Sequence, residues 1–433
     1  MKYNKLPVQL FQSHRQKLAE MMEDDAVLLL FSNDIMPRSG DQNYPYCQQA
    51  DMFYLTGIEQ PETVLMLCPQ HSNAQLREVL FIQQPQASQQ LWSGDMLTIS
   101  QAQELSGISQ VRYLGDMHLL IREAILAMDK IYFDIPENVR QTPVVEDANM
   151  RNAKYYKSLY PLHQMLRLAP LTQYLRVRKS EEEISLISKA CDITAEAYMD
   201  LLLCVKPNVQ ECVLEGEIIK GFLARRATGC SFAPIVAAGK NTCILHYTAN
   251  HSECKSGDLL LVDMGAEYAH YAGDLSRTIP VNGKFNPRQK EVYTACERVF
   301  RYARTLYVPG MSINKIQRMV CIRMQQELIN LGLFTEQDVH NESTPFECVH
   351  RYFMHGVAHF VGIDVHDVGS KDMSLDYGMV LSCEPGIYIP EENIGIRIET
   401  IMQVNDEPID LMSQVPLSVD EIETYMNQST TLK

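Results

Sequence analysis

Residues 260–278, LLVDMGAEYAHYAGDLSRT, set Asp263 and Asp274 inside runs that otherwise have the composition of buried strand. A lone carboxylate taken out of water forfeits hydration worth several kcal/mol or keeps its proton. A chain that puts two of them there must also supply positive charge. LLLVDMGAEY and HYAGDLSRTIPV read as two strands joined by a tight turn near Tyr268 and Ala269, which sets Asp263 opposite Asp274. Directly opposed like charges on a hairpin repel, and a cation between them reverses the sign of that interaction.

Two more carboxylates have the same setting. Glu384 ends the apolar strand of MVLSCEPGIYI, and in PEENIGIRIETIMQV the isoleucines 394, 396 and 398 alternate with Gly395, Arg397 and Glu399. That alternation puts Arg397 and Glu399 on one face of a strand. The segment HGVAHFVGIDVHDVG, 355–369, adds His355, His359 and His366. Imidazole with several carboxylates is the ligand mix for divalent manganese, cobalt or zinc. The H-E-x-x-H pattern of helix-borne zinc proteases is absent. Five ligands, four of them carboxylates, exceed what one structural zinc needs. They suit two ions about 3.5–4 Å apart, bridged by carboxylates and a hydroxide.

The remainder of the chain narrows the class. A formal charge of −16 over 433 residues argues against a nucleic-acid footprint and against attraction to an acidic membrane surface. The longest aliphatic runs, such as AVLLLF, are too short to span a bilayer, and the opening MKYNKLPVQLFQSHRQKL has no signal-peptide pattern. Twelve cysteines are scattered without a C-x-x-C pair, as expected of reduced thiols in a cytoplasmic protein. AVLLLFS, TVLMLCP, EVLFIQQ and KIYFDIP read as short buried strands, alternating with helical stretches such as ISQAQELSG and LLIREAILAMD. That predicts an α/β domain around a parallel or mixed sheet over residues 1–172. Ser180 and Glu183 form a capping box that starts a helix ending before Pro207. Residues 173–433 follow as an α+β domain with long helices near 288–306 and 312–332, and carry nearly all the polar residues of interest.

With those residues in place, the sequence resembles a known family. D-x-G-A-E-Y…Y-A-x-D-x-x-R-T, H-G-x-x-H-x-x-G-x-D-V-H-D, C-E-P-G-I-Y-I and G-I-R-I-E occur in the order seen in Xaa-Pro aminopeptidases (aminopeptidase P). These belong with prolidase, methionine aminopeptidase and creatinase in the pita-bread metallopeptidase group, family M24. YPYCQQADMFYLTGI, QLWSGDMLT with the single tryptophan Trp92, and NTCILHY extend the likeness over essentially the whole chain. The resemblance implies a creatinase-like α/β N-terminal domain and an α+β pita-bread catalytic domain. It implies hydrolysis of the bond between an N-terminal residue and a following proline. The substrate is then a peptide with proline second.

The same resemblance implies that Asp263, Asp274, His359, Glu384 and Glu399 hold two divalent ions, manganese before cobalt or zinc. Glu384 would also move protons; His246 and His366 would meet the substrate or transition state. His355, Arg397 and Tyr388 fall near the proline-side pocket, and Asp367 or another carboxylate is a candidate to fix the His366 tautomer. A plain salt bridge competes for Arg397 and a packing role for His355. Cys383 reads as a buried thiol. The family forms dimers or tetramers, which places Trp92 near a contact between subunits. Cys47 and Gln49, Val357 and Ala358, Thr400 and Asn208 depart from common family residues, and none of these removes a ligand. A prolidase acting on dipeptides is the nearest alternative, and a metal-free peptide-binding relative the more distant one.

Overall fold

The computed structural model describes residues 2–86, 91, 92, 94, 96–137 and 144–428. Two compact units result, one formed by residues 4–176 and the other by 177–433 together with the first three residues.

In the first unit, strands β1 (Ala26–Phe31), β2 (Val64–Leu67), β3 (Glu78–Ile82), β4 (Gln110–Tyr113), β5 (Lys130–Phe133) and β6 (Gln164–Arg167) form one sheet in the order β4-β3-β2-β1-β5-β6. β1–β2 and β2–β3 are antiparallel; β3–β4, β1–β5 and β5–β6 are parallel, so the sheet is mixed. Val27, Leu29 and Phe31 share one face of β1 and bury against Ile121, Ala124 and Ile125 of the helix Met117–Leu126. Strand spacing of two and helix spacing of three and four meet in that layer. The four strands expected from the sequence are all present. Of the QLWSGDMLT segment, Gln90, Ser93 and Asp95 lie outside the described residues, and Trp92 is 87% exposed.

The second unit opens with helix α1 (Glu181–Leu202), where the Ser180–Glu183 capping box forms as the sequence predicts, and continues with α2 (Glu211–Ala224). β7 (Ile235–Ala238), β8 (Leu259–Met264) and β9 (Leu275–Pro280) make an antiparallel sheet with β8 central. All six residues of β8 and all six of β9 are buried, the polar Asp263, Ser276, Arg277 and Thr278 included. Helices α3 (Pro287–Arg304) and α4 (Ile313–Asn330) follow close to the predicted positions. The chain then forms β10 (Val380–Cys383), β11 (Gly386–Ile389), β12 (Ile394–Arg397) and β13 (Thr400–Gln403). β10 pairs with β13, and β11 with β12. Among the described residues no helix is long and apolar enough to cross a membrane. All twelve cysteines are free thiols.

The hairpin register differs from the one expected. Its turn is Ala269–His270, both with positive φ (51° and 66°), between the paired Tyr268 and Tyr271. Moving the centre of the turn by one residue moves every partner by two. Ser276, not Asp274, therefore lies opposite Asp263. A two-residue turn of this hand normally takes Asn or Gly, and nothing in AEYAHYAG marks it. Gly265 and Gly273 let the two strands pinch together: a Cβ on Gly265 would lie 1.9 Å from the Gly273 carbonyl oxygen.

Candidate metal centre

Asp263 lies in β8, and Asp274 immediately precedes β9, the strand with which β8 pairs. Glu384 follows β10 directly, and Glu399 sits in the two-residue step between β12 and β13. His359 comes from an irregular segment held against β10 like an added strand. His359 N donates to Ser382 Oγ at 3.0 Å, Ser382 N donates back to His359 O at 2.8 Å, and Glu384 N donates to Val357 O at 2.9 Å.

The side chains converge. Asp274, His359 and Glu399 each offer a ligand atom, and these atoms lie within 4.8 Å of one another. His359 Nε2 stands 3.4 Å from Asp274 Oδ2 and 3.5 Å from Glu384 Oε1. Those separations are long for a hydrogen bond, but two ligands each about 2.1 Å from one ion would have such a spacing. The other ring nitrogen, His359 Nδ1, lies 3.0 Å from the Phe360 carbonyl oxygen; donation to it leaves the lone pair on Nε2, toward the carboxylates.

Asp263 is held by Arg397, whose Nη2 donates to Oδ2 at 2.6 Å. Its other oxygen, Oδ1, is buried and has no hydrogen-bond partner among the described residues. A buried carboxylate oxygen left bare loses hydration with nothing in return. Burial, reinforced by Asp263 and Glu384, pushes the Asp274 carboxyl well above the usual carboxylate range. Glu399 is pushed up in the same way, by burial and then by Asp274 and Glu384. Burial also raises Asp263, against the pull of Arg397. Four crowded carboxylates with one arginine among them, and one bare lone pair, make a donor set that fits divalent cations.

The supporting shell contains residues that sequence reasoning missed. Ser276 Oγ donates to Glu399 Oε2 at 2.7 Å and accepts from Arg397 Nε at 2.8 Å. Ser382 Oγ donates to Glu384 Oε1 at 3.2 Å. Small hydroxyl residues inside buried strands were the available signal. Arg397 Nη1 donates to Tyr388 Oη at 3.0 Å, and Tyr388 Oη lies 2.9 Å from His355 Nε2. His355, Tyr388 and Arg397 thus form one connected chain ending on Asp263. Arg397 is a salt bridge, but one built into the carboxylate cluster. Burial lowers the His355 pKa; Glu384 opposes that, and Arg397 and, more weakly, His246 add to it.

His366 packs edge-on against His359 with ring centres 4.5 Å apart. Asp367 follows it in the chain. Its carboxylate makes an ion pair with Lys179 at 2.9 Å, both side chains 1% exposed. A fully buried carboxylate takes the nearest cation, and here that is a lysine 188 residues away in sequence. The Cys383 thiol is buried and its pKa is raised by that burial, as expected for a structural cysteine.

Comparison with known proteins agrees with this geometry. Residues 185–406 match the model of metallopeptidase family M24, and residues 11–132 match the aminopeptidase P N-terminal domain. The chain is 35% identical to the Xaa-Pro aminopeptidase of Escherichia coli, over 96% of this chain and 97% of that one. It is 31% identical to the Xaa-Pro aminopeptidase of Haemophilus influenzae, over 98% of each. A solved structure of zinc-substituted E. coli aminopeptidase P in complex with product superposes with a TM-score of 0.87 at 32% identity, covering 98% of this chain and 99% of that one.

Proposed function

The chain belongs to metallopeptidase family M24 and is a metallo-aminopeptidase of the Xaa-Pro type; on that premise we propose how its residues divide the work. Asp263, Asp274, His359, Glu384 and Glu399 hold two divalent ions, manganese before cobalt or zinc. The observation that carries this is the bare, buried Asp263 Oδ1 beside the converged Asp274, His359 and Glu399 donors. Bound there, such ions supply a water of lowered pKa as nucleophile and Lewis acidity toward the scissile carbonyl.

The protein's own groups do the rest. A prolyl amide has no N–H and a restricted φ, so an enzyme that grips that N–H is ill suited to it. Glu384 takes the proton of the attacking water and hands it to the leaving proline nitrogen. Its Oε1 lies on the His359 side, whereas Oε2 faces His355 Nδ1 at 3.8 Å, which supports one oxygen for the metal and one for the proton. His366 and His246 donate to the developing oxyanion, an effect of about 3–4 kcal/mol per donor. His355, Tyr388 and Arg397 form the wall on the proline side. Arg397 also keeps Asp263 ionised and oriented.

The proposal includes self-association. Leu91 and Trp92 are 82% and 87% exposed, adjacent apolar surface of the kind that partners cover. A cytoplasmic location is in keeping with the free thiols. The test is a mass-spectrometric assay with added manganese, offering Xaa-Pro, Xaa-Pro-Yaa and Xaa-Ala-Yaa peptides to wild type and to Asp263→Ala. Cleavage of the tripeptide before proline, lost in the variant, is expected. Cleavage of the dipeptide alone makes the enzyme a prolidase. No cleavage by folded, metal-loaded protein refutes the reading.

A further inference from the structure

The loop between β7 and β8 carries His246, yet its regular structure is limited to one short 3-10 turn over Gly239–Cys243 and a single bridge between Glu253 and Gln210. Between those two points something other than a ladder must hold it. Glu211, the first residue of α2, is 0% exposed and accepts four hydrogen bonds. Its Oε1 accepts from Ala238 N at 2.7 Å and Asn241 Nδ2 at 3.2 Å. Its Oε2 accepts from Tyr247 Oη at 2.9 Å and Ser252 N at 2.8 Å. Glu211 N in turn donates to Ser252 O at 2.9 Å. One carboxylate therefore ties the start, the middle and the end of a single loop, and all four of its usual acceptor positions are used.

An acidic residue in the first turn of a helix is ordinarily an exposed partner of the helix dipole. Glu211 is instead fully buried, and its side-chain bonds run to the loop and to the last residue of β7, not to the free N–H groups of its own helix. Tyr247, which it holds by the hydroxyl, packs in one apolar cluster with Ile235, Leu261 and Tyr388. His246 is the residue before Tyr247 and is exposed. Fixing Tyr247 at both ring and hydroxyl fixes the backbone from which His246 projects.

We propose that Glu211 is a positioning residue for the reaction: it fixes the loop 239–252 and through it sets His246. The proposal rests on the oxyanion role given to His246 above. In Glu211→Gln one of the two acceptor oxygens becomes an amide that faces two donors, so one pair of loop anchors is lost while shape is kept. The expected result is a fall of about 10²-fold in kcat, the scale of a 1 Å misplacement. KM should stay within about threefold, because the lost contact belongs to the transition state.

The experiment compares manganese-loaded wild type, Glu211→Gln, His246→Ala and the double variant on an Xaa-Pro-Yaa peptide. Metal content is measured, together with amide hydrogen exchange of peptides covering 239–252. If Glu211 acts through His246, the loss caused by Glu211→Gln shrinks below about threefold in the His246→Ala background. Exchange over 239–252 then rises in Glu211→Gln at unchanged metal content. Additive losses, or unchanged exchange in that loop, overturn the proposal. A His246→Ala enzyme with undiminished kcat refutes the role of His246 and this proposal together, whereas slow His246→Ala with additivity refutes this proposal alone. Should Glu211→Gln fail to fold, Tyr247→Phe removes one anchor and keeps the ring. Its smaller loss of kcat must likewise vanish in the His246→Ala background.

Discussion

Removing one oxygen atom, in Ser276→Ala, should weaken metal binding without touching a ligand. Ser276 is fully buried and stands between Glu399 and Arg397. Its hydroxyl hydrogen goes to Glu399 Oε2 and its lone pair takes Arg397 Nε. A hydrogen bond to an ionised group contributes about 1.5–3 kcal/mol. At about 1.4 kcal/mol per tenfold, that corresponds to at least about a tenfold loss in metal affinity. Partners that orient ligands cost about 10–100-fold when removed, which is the same range. Arg397 keeps its bonds to Asp263 and Tyr388, so the fold should persist. Titration against a competing chelator should then give a manganese dissociation constant raised about 10–100-fold. At saturating metal kcat should stay within about threefold. An unchanged dissociation constant, or a collapse of kcat at saturation, would refute the view that Ser276 acts by orienting Glu399.

Three further perturbations follow from the same geometry. In the metal-free protein Asp263, Asp274 and Glu399 titrate above the ordinary carboxylate value near 4, so over that interval the folded state holds more protons than the unfolded one. Stability of the metal-free form therefore falls as pH rises from about 4, while metal binding, which needs the ionised ligands, strengthens. The rise in Tm on adding manganese should be larger at pH 8 than at pH 5.5, and a gain independent of pH contradicts the argument. Glu384→Gln removes the proposed proton carrier and should lower kcat by about 10²–10⁴-fold, with bound metal measured alongside; near wild-type kcat excludes it as the general base. Lys179→Met leaves Asp367 buried without its cation and should cost about 3–5 kcal/mol in denaturant unfolding. Lys179→Met/Asp367→Leu should recover most of that, and a single-variant loss below about 1 kcal/mol would show that water reaches the pair.

The parts of this site legible in the sequence are those whose cost is local. A carboxylate inside an apolar strand is expensive wherever the strand goes, so Asp263, Asp274, Glu384 and Glu399 were conspicuous before any fold was known. The capping box at Ser180 and Glu183 lies within four residues and forms as read. The hairpin register was not legible, because Ala269 and His270 adopt a left-handed turn that their side chains do not announce. The pairing of Asp367 with Lys179 was not legible, because the two lie 188 residues apart in the chain. Ser276, Ser382 and Glu211 were overlooked for a similar reason. A hydroxyl in a strand or a glutamate at a helix start is ordinary until the fold delivers what it binds.

The buried carboxylates and His359 are proposed as one site for two divalent ions that activity requires. The most direct test is titration of chelator-stripped enzyme with manganese, following bound metal and tripeptide cleavage together. Wild type should bind two equivalents and Asp263→Ala fewer, and cleavage should appear only as the site fills. Full cleavage by stripped protein, or undiminished metal binding by Asp263→Ala, would contradict that proposal.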